Sequence, residues 1–303
     1  MSMTDHIAEL RGSMTALVTP FRDGEVDWKC LDELVERQID GGVDWLVPCG
    51  TTGETPTLTK AEYERILSAV IARCAGRKPV LAGAGSNSTA ETVRLVRSAE
   101  SAGADAVLVV TPYYNRPSQE GLFRHYAKVA EASLLPNVLY NVPARTGVSL
   151  AVDTVVRLRQ SFPNIMAIKH ATGFVDGVTE IIERCDIIVL SGDDPITWPL
   201  MSLGAAGVVS VISNLVPELV KSLTDAALAG DMDRARRYHD RVHALAVGLA
   251  PFGPNPVPIK TAMAIAGLLR EEFRLPLCAL DERGHEGIER LLKTQDIREP
   301  AVA

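Results

Sequence analysis

The sequence predicts an α/β protein built as a (β/α)8 barrel with a C-terminal helical extension. Two observations carry that prediction. Eight short apolar runs recur along the chain, mostly four or five residues long and nearly free of charge. Strands covered on both faces read this way. Longer amphipathic stretches separate the runs at spacings of about 20–35 residues, as a strand, a crossover helix and two loops require. A third observation opposes the alternative, an open doubly wound sheet. No Gly-x-Gly-x-x-Gly follows the first run, and Gly83-Ala-Gly85 is a lone Gly-x-Gly.

The expected strands are Thr15–Val18, Trp45–Pro48, Val80–Ala84, Ala106–Val110, Val138–Tyr140, Ile165–Ile168, Ile187–Leu190 and Gly207–Val211. Asp27–Asp40 reads as a helix with Leu31, Leu34, Val35 and Ile39 on one face. Thr59 opens the next helix, and Glu62 three residues on completes a capping box. Ser88–Ala102, a stretch opened by Ser118, Asp153–Leu158, Val178–Ile182, Ile196–Leu203 and Glu218–Leu228 follow. After Gly230 the apolar strand runs stop. Asp231–Leu249, Pro256–Leu269 and Glu286–Leu292 read as helices, and the proline-rich Pro251–Pro258 as a stiff extended connector. The expected organisation is a barrel over residues 1–230 and a helical appendage over residues 231–303.

Of the 303 residues, 31 are Lys or Arg and 38 are Asp or Glu, a net charge of −7. That sign disfavours nucleic acid and anionic membrane as partners. Pro195–Pro217 carries no charged side chain and is long enough to span a bilayer. Its prolines, glycines and polar residues favour a short helix, a glycine turn and a buried strand from Gly207. Cys30, Cys49, Cys74, Cys185 and Cys278 are odd in number and form no Cys-x-x-Cys pair, so neither a disulfide framework nor a structural zinc site is expected. Met1–Gly12 is charged and has no apolar core, unlike a signal peptide. A cytoplasmic protein is the expectation.

In such barrels the chemistry sits at the C-terminal ends of the strands. Lys169 ends an apolar run. An amine in an apolar pocket is partly desolvated, which favours its free form and attack on a ketone to give a Schiff base. From position alone, a strand-end lysine reaching solvent is the favoured reading. Tyr140 ends the preceding run and belongs beside Lys169, either as a proton shuttle or as a core tyrosine. Thr51 and Thr52, between Gly50 and Gly53, offer hydroxyls and backbone N–H groups to a carboxylate, or simply form a capped turn. Arg145 suits bidentate capture of a carboxylate or lies on the surface. Tyr113 and Tyr114 follow the fourth run in a proline-flanked loop that packing alone accounts for. His239 and His243 have i, i+4 spacing but no third ligand, and read as a solvated face. Cys49 has no histidine base and reads as a small buried hydrophobe.

Taken together, Gly50-Thr-Thr-Gly-Glu54, Tyr140-Asn-Val-Pro143 and Ile168-Lys169 resemble the pyruvate-dependent class I aldolases of the dihydrodipicolinate synthase and N-acetylneuraminate lyase superfamily. The similarity runs from about Gly12 to Leu292. Thr51-Thr52, Thr111-Pro-Tyr-Tyr-Asn-Arg-Pro117, Arg145-Thr-Gly147 and Asn255-Pro-Val-Pro-Ile-Lys260 are similar to the dihydrodipicolinate synthase branch. The resemblance implies that Lys169 forms an imine with pyruvate, whose enamine attacks L-aspartate 4-semialdehyde. Thr51, Tyr140 and Tyr114 would relay protons, with Tyr114 reaching a neighbouring subunit's site. Thr52 would hold the pyruvate carboxylate and Arg145 that of the semialdehyde. Gly192 and Val209 would line the pocket with backbone. It further implies no metal or cofactor and a homotetramer made of two dimers. A feedback site for lysine would involve Asn87, Glu91 and Tyr113. Lys60 and Tyr63 stand where some lysine-sensitive members have histidine, which argues against feedback inhibition. His170 replaces an acidic residue common in the family and, next along the strand, points away from Lys169. A paralogous aldolase acting on a sugar acid, and a non-catalytic sensor of 2-oxo acids, are the competing functions.

Overall fold

The computed structural model describes residues 10–297. Eight parallel strands form the sheet: β1 (Gly12–Ala16), β2 (Trp45–Val47), β3 (Leu81–Gly83), β4 (Ala106–Val110), β5 (Asn137–Asn141), β6 (Ile165–His170), β7 (Ile188–Ser191) and β8 (Gly207–Ser210). Their hydrogen-bonded order is β2-β1-β8-β7-β6-β5-β4-β3. The last seam closes where Leu46 bridges Val80 and the Gly83 N–H donates to the Pro48 carbonyl at 2.9 Å. The (β/α)8 expectation therefore holds.

Strand alternation builds two cores. Met14, Trp45, Leu81, Leu108, Val138, Ala167, Leu190 and Val209 point inward and fill the barrel. Leu46, Val107, Leu139, Ile168 and Val189 point outward. They meet the helices α1 (Trp28–Asp40), α2 (Lys60–Cys74), α3 (Thr89–Ala102), α4 (Gln119–Ala132), α5 (Val152–Ser161), α6 (Val178–Arg184), α7 (Thr197–Ser202) and α8 (Pro217–Leu228). The Thr59–Glu62 capping box opens α2 as the spacing predicts. The glycines of Gly83-Ala-Gly85 serve close packing. A Cβ on Gly83 would stand 2.0 Å from the Cys49 carbonyl oxygen, and one on Gly85 2.3 Å from the Val110 nitrogen.

Polar residues within or beside the strands shift several boundaries. β1 starts at Gly12 rather than Thr15, because the Asp44 carboxylate accepts the Ser13 N–H at 2.8 Å and satisfies the backbone at the strand's start. β5 gains Asn137 and Asn141, and Asn141 Oδ1 accepts the Leu150 N–H at 3.0 Å. β6 runs on through Lys169 and His170. Pro195–Pro217 resolves into α7 and β8, and no described helix is long and apolar enough to cross a membrane.

Three helices follow: α9 (Met232–Leu249), α10 (Val257–Ile265) and α11 (Glu282–Thr294). The Pro251–Pro258 stretch is not a simple extended connector. Ala250–Phe252 forms a 3-10 turn, and α10 begins at Val257, with Pro258 in the first turn where no N–H is needed. α10 ends at Ile265, short of Leu269. α11 starts earlier than Glu286 because Asp281 caps the Gly284 N–H at 2.9 Å. His239 is not fully solvated, since its ring lies 5.5 Å from that of Trp198 and 5.5 Å from that of His243. Most of the Met1–Gly12 stretch and the last residues of the appendage lie outside the described residues.

Candidate active site

Lys169 follows inward-pointing Ala167 by two residues on β6, and Tyr140 follows Val138 by two on β5. Strand alternation therefore aims both into the barrel. They are register partners across the two strands. Lys169 is 5% exposed, and its Nζ lies 4.3 Å from the centre of the Tyr140 ring. The Thr111 hydroxyl donates to the Tyr140 carbonyl at 2.9 Å and fixes the strand end. Gly192 meets the lysine from the end of β7. A Cβ there would stand 2.9 Å from Lys169 Cε and 2.5 Å from Ala171 Cβ. His170 is occupied elsewhere: its Nε2 lies 2.9 Å from the Thr172 hydroxyl and 3.2 Å from the Phe174 carbonyl oxygen.

Asp194 is a buried carboxylate that the sequence reading passed over, although it ends the Ser191-Gly-Asp-Asp194 stretch. It accepts from the Ser210 hydroxyl at 2.5 Å and from the Val211 and Ile212 N–H groups at 2.9 and 3.1 Å. Burial pushes its pKa up, against the pull of those donors and of Lys169. It ties the end of β7 to the end of β8.

Thr51–Gly53 forms a 3-10 turn after β2. Thr51 is half-buried and Thr52 buried. Thr52 Oγ1 accepts from Asn255 Nδ2 at 3.0 Å, and Arg145 Nη2 donates to the Asn255 carbonyl at 3.1 Å. Asn255 thus joins the two residues expected to hold carboxylates. Sequence reasoning saw it only as part of a motif, because its partners lie 203 and 110 residues away. Arg145 itself rides on one helical turn, Pro143–Thr146, and is exposed. Tyr114 is 89% exposed, with φ at 72°, a strained conformation for a non-glycine residue. Its N–H donates to the Thr146 carbonyl at 3.3 Å.

A cavity of about 1150 Å³ brings together Thr51, Tyr113, Tyr114, Tyr140, Arg145 and Glu91. Lys169 does not line this cavity directly but packs on the ring of Tyr140, which does. Gly192 packs against Lys169, and Val209 is fully buried in the barrel interior. Thr52 and Asn87 also lie off the wall; the Asn87 carbonyl accepts from Asn115 Nδ2 at 2.9 Å. Glu91 binds Arg94 through two hydrogen bonds, at 2.9 and 2.5 Å, and this guanidinium holds its carboxyl below the usual range. Lys60 pairs with Glu64 on the surface. Tyr63 is a core tyrosine whose hydroxyl donates to the Gly83 carbonyl at 2.9 Å. Cys49 is buried, which pushes its thiol pKa up and makes it inert. Among the described residues no three His, Cys, Asp or Glu side chains group as metal ligands.

A closed barrel with its polar groups at the C-terminal ends of the strands defines the class of (β/α)8 enzymes. The model of the dihydrodipicolinate synthetase family matches residues 9–295. The chain belongs to that family, and it is a lyase. The 4-hydroxy-tetrahydrodipicolinate synthase of Geobacter metallireducens is 49% identical over 290 residues, 95% of this chain and 99% of that protein. The dihydrodipicolinate synthase structure from Aquifex aeolicus superimposes with a TM-score of 0.93 at 44% identity, covering 96% of this chain and 99% of that one. A chloride-inhibited dihydrodipicolinate synthase from Acinetobacter baumannii, complexed with pyruvate, gives 0.92 at 43% identity, over 95% and 99% of the two chains.

Proposed function

We propose that this chain condenses pyruvate with L-aspartate 4-semialdehyde to 4-hydroxy-tetrahydrodipicolinate, in lysine and diaminopimelate biosynthesis. One observation carries the chemistry: a buried lysine amine faces a tyrosine ring on the adjacent strand, 4.3 Å away. The Lys169 amine adds to pyruvate C2 and water leaves, giving an imine. Loss of a methyl proton makes the enamine. Its carbon bonds to the aldehyde carbon while the aldehyde oxygen takes up a proton. The amine of the new product then adds to C2 and displaces Lys169, closing the ring. Pyruvate held as the imine takes the place of a cofactor.

Thr51, Tyr140 and Tyr114 carry the protons in this reading. The exposure and backbone strain of Tyr114 support a role against a second copy of the chain. Thr52 holds the pyruvate carboxylate and Arg145 the semialdehyde carboxylate, while Gly192 and Val209 shape the floor. The working assembly is a homotetramer of two dimers in the cytoplasm, each subunit a barrel of residues 1–230 with an appendage of residues 231–303. Asn87, Glu91 and Tyr113 occupy the position of the family's effector site, while Lys60 and Tyr63 argue against feedback inhibition by lysine there.

A coupled assay tests the proposal. Pyruvate, the semialdehyde and a dihydrodipicolinate reductase are supplied, and NADPH loss is followed. Loss that requires both substrates and vanishes in Lys169→Ala is the expected result. Pyruvate trapped on Lys169 by borohydride without turnover would reject this aldehyde in favour of a sugar acid or another 2-oxo acid. Pyruvate bound without a trappable imine would leave a sensor.

A further inference from the structure

Lys260 and Glu54 form a fully buried ion pair, with both side chains 0% exposed and Nζ 2.6 Å from Oε1. The two residues lie 206 positions apart, one on α10 and one on the loop after β2. Lys260 also donates to the Glu272 carbonyl at 2.6 Å, and Glu54 Oε2 accepts the Arg274 N–H at 3.2 Å. The ammonium lies 4.5 Å from the centre of the Phe21 ring and 4.9 Å from that of Phe273. Glu54 closes the turn that carries Thr51 and Thr52, and does so with φ at 54°, a backbone state a non-glycine residue holds only under constraint. The loop is gripped at a second point, where the Thr19 hydroxyl donates to the Gly53 carbonyl at 2.7 Å. Just ahead of α10, Asn255 binds Thr52 and Arg145.

We propose that Lys260 and Glu54 are positioning residues: their buried pair locks α10 to the Thr51–Thr52 turn and so sets the spacing between Thr52 and Arg145. The appendage is then part of the substrate site, although no group of the pair touches substrate. A buried pair of this kind costs heavily to desolvate, and well-packed apolar residues often serve stability as well or better. Beside the turn, the pair serves geometry: the ammonium's hydrogen bonds to the Glu54 carboxylate and the Glu272 carbonyl hold α10 and the turn in one relative position.

The inference rests on the proposed condensation, so the wild-type coupled assay is run alongside. Absence of wild-type turnover rejects that reading. With turnover established, Glu54→Gln, Lys260→Met and the charge-free double variant are compared. In folded variants the expected result is a KM for both substrates raised about tenfold or more, as misplacement by a fraction of an ångström produces. Borohydride trapping on Lys169 at saturating pyruvate stays within about twofold of wild type, because Lys169 sits on β6, away from the pair. A folded variant with wild-type KM values overturns the inference. Failure of all three variants to fold overturns it too, since the pair would then serve the fold alone.

Discussion

Tyr140 and Lys169 occupy paired positions on neighbouring parallel strands, and the Lys169 amine lies against the face of the Tyr140 ring at 4.3 Å from its centre. The Tyr140 ring thus touches both the amine and the cavity that Tyr140 lines. Tyr140→Phe keeps the ring and removes only the hydroxyl. Its expected kcat is about 10²–10⁴-fold lower, the usual contribution of a positioned acid or base. Pyruvate should still be trapped on Lys169, and Lys169→Ala should show no adduct by mass. Equal kcat in Tyr140→Phe and wild type would remove Tyr140 from the proton relay.

Gly192→Ala should damage the site without removing a reacting group. The new methyl would lie 2.9 Å from Lys169 Cε and 2.5 Å from Ala171 Cβ. Overpacking of this kind costs about 1–3 kcal/mol. A displaced lysine should slow borohydride trapping by about a hundredfold. Trapping at the wild-type rate would mean that the lysine has room to move aside.

Tyr114 gives a complementation test. If a partner supplies it, Tyr114→Phe and Lys169→Ala are each inactive, yet mixed dimers regain one intact site. Refolding an equal mixture should return about a quarter of wild-type activity. A mixture no more active than its components would assign Tyr114 to its own subunit.

The Lys260–Glu54 pair makes a separate prediction for stability. Removing one partner strands a buried charge and costs about 3–5 kcal/mol. Glu54→Gln combined with Lys260→Met should be clearly more stable than Lys260→Met alone in urea unfolding. Strictly additive losses would show that the two side chains do not interact.

His125 should govern stability at mildly acidic pH. It is buried between α3 and α4, with Nδ1 2.9 Å from the Thr89 hydroxyl and Nε2 unpaired. Burial pushes its pKa down to about 4 from 6.5. The folded state therefore binds its proton less readily than the unfolded chain does. The resulting stability is present in full above pH 6.5 and is lost as pH falls towards 4, by about 3 kcal/mol. The Arg274 guanidinium holds Glu62 down to about 2, so that carboxyl's contribution is lost only at lower pH, from 4.5 downward. Urea unfolding of wild type and His125→Phe at pH 7.5 and pH 5 separates the two windows. Parallel losses in both proteins would clear His125.

Local chemistry was legible in the chain before any coordinates. Buried parallel strands must be apolar on both faces, so eight runs announced eight strands. Thr59 and Glu62 announced a helix start because a capping box is complete within four residues. The boundaries that slipped did so at Ser13, Asn137, Asn141 and Lys169, polar residues that the apolar-run pattern does not assign to a strand. Lys169 stood out as an amine ending an apolar run, but its position alone favoured a lysine reaching solvent, and only its register with inward-pointing Ala167 in β6 aims it into the barrel.

By itself, then, the sequence determined the barrel, the order of its elements and the residue types at the strand ends, because propensity, alternation and capping act over a few residues. Only the tertiary structure decided which of those groups meet. Asn255 bridges Thr52 and Arg145, Gly192 presses on Lys169, and Lys260 finds Glu54 from 206 positions away. Such distances are the sum of many packing contacts, and no short stretch of chain encodes them.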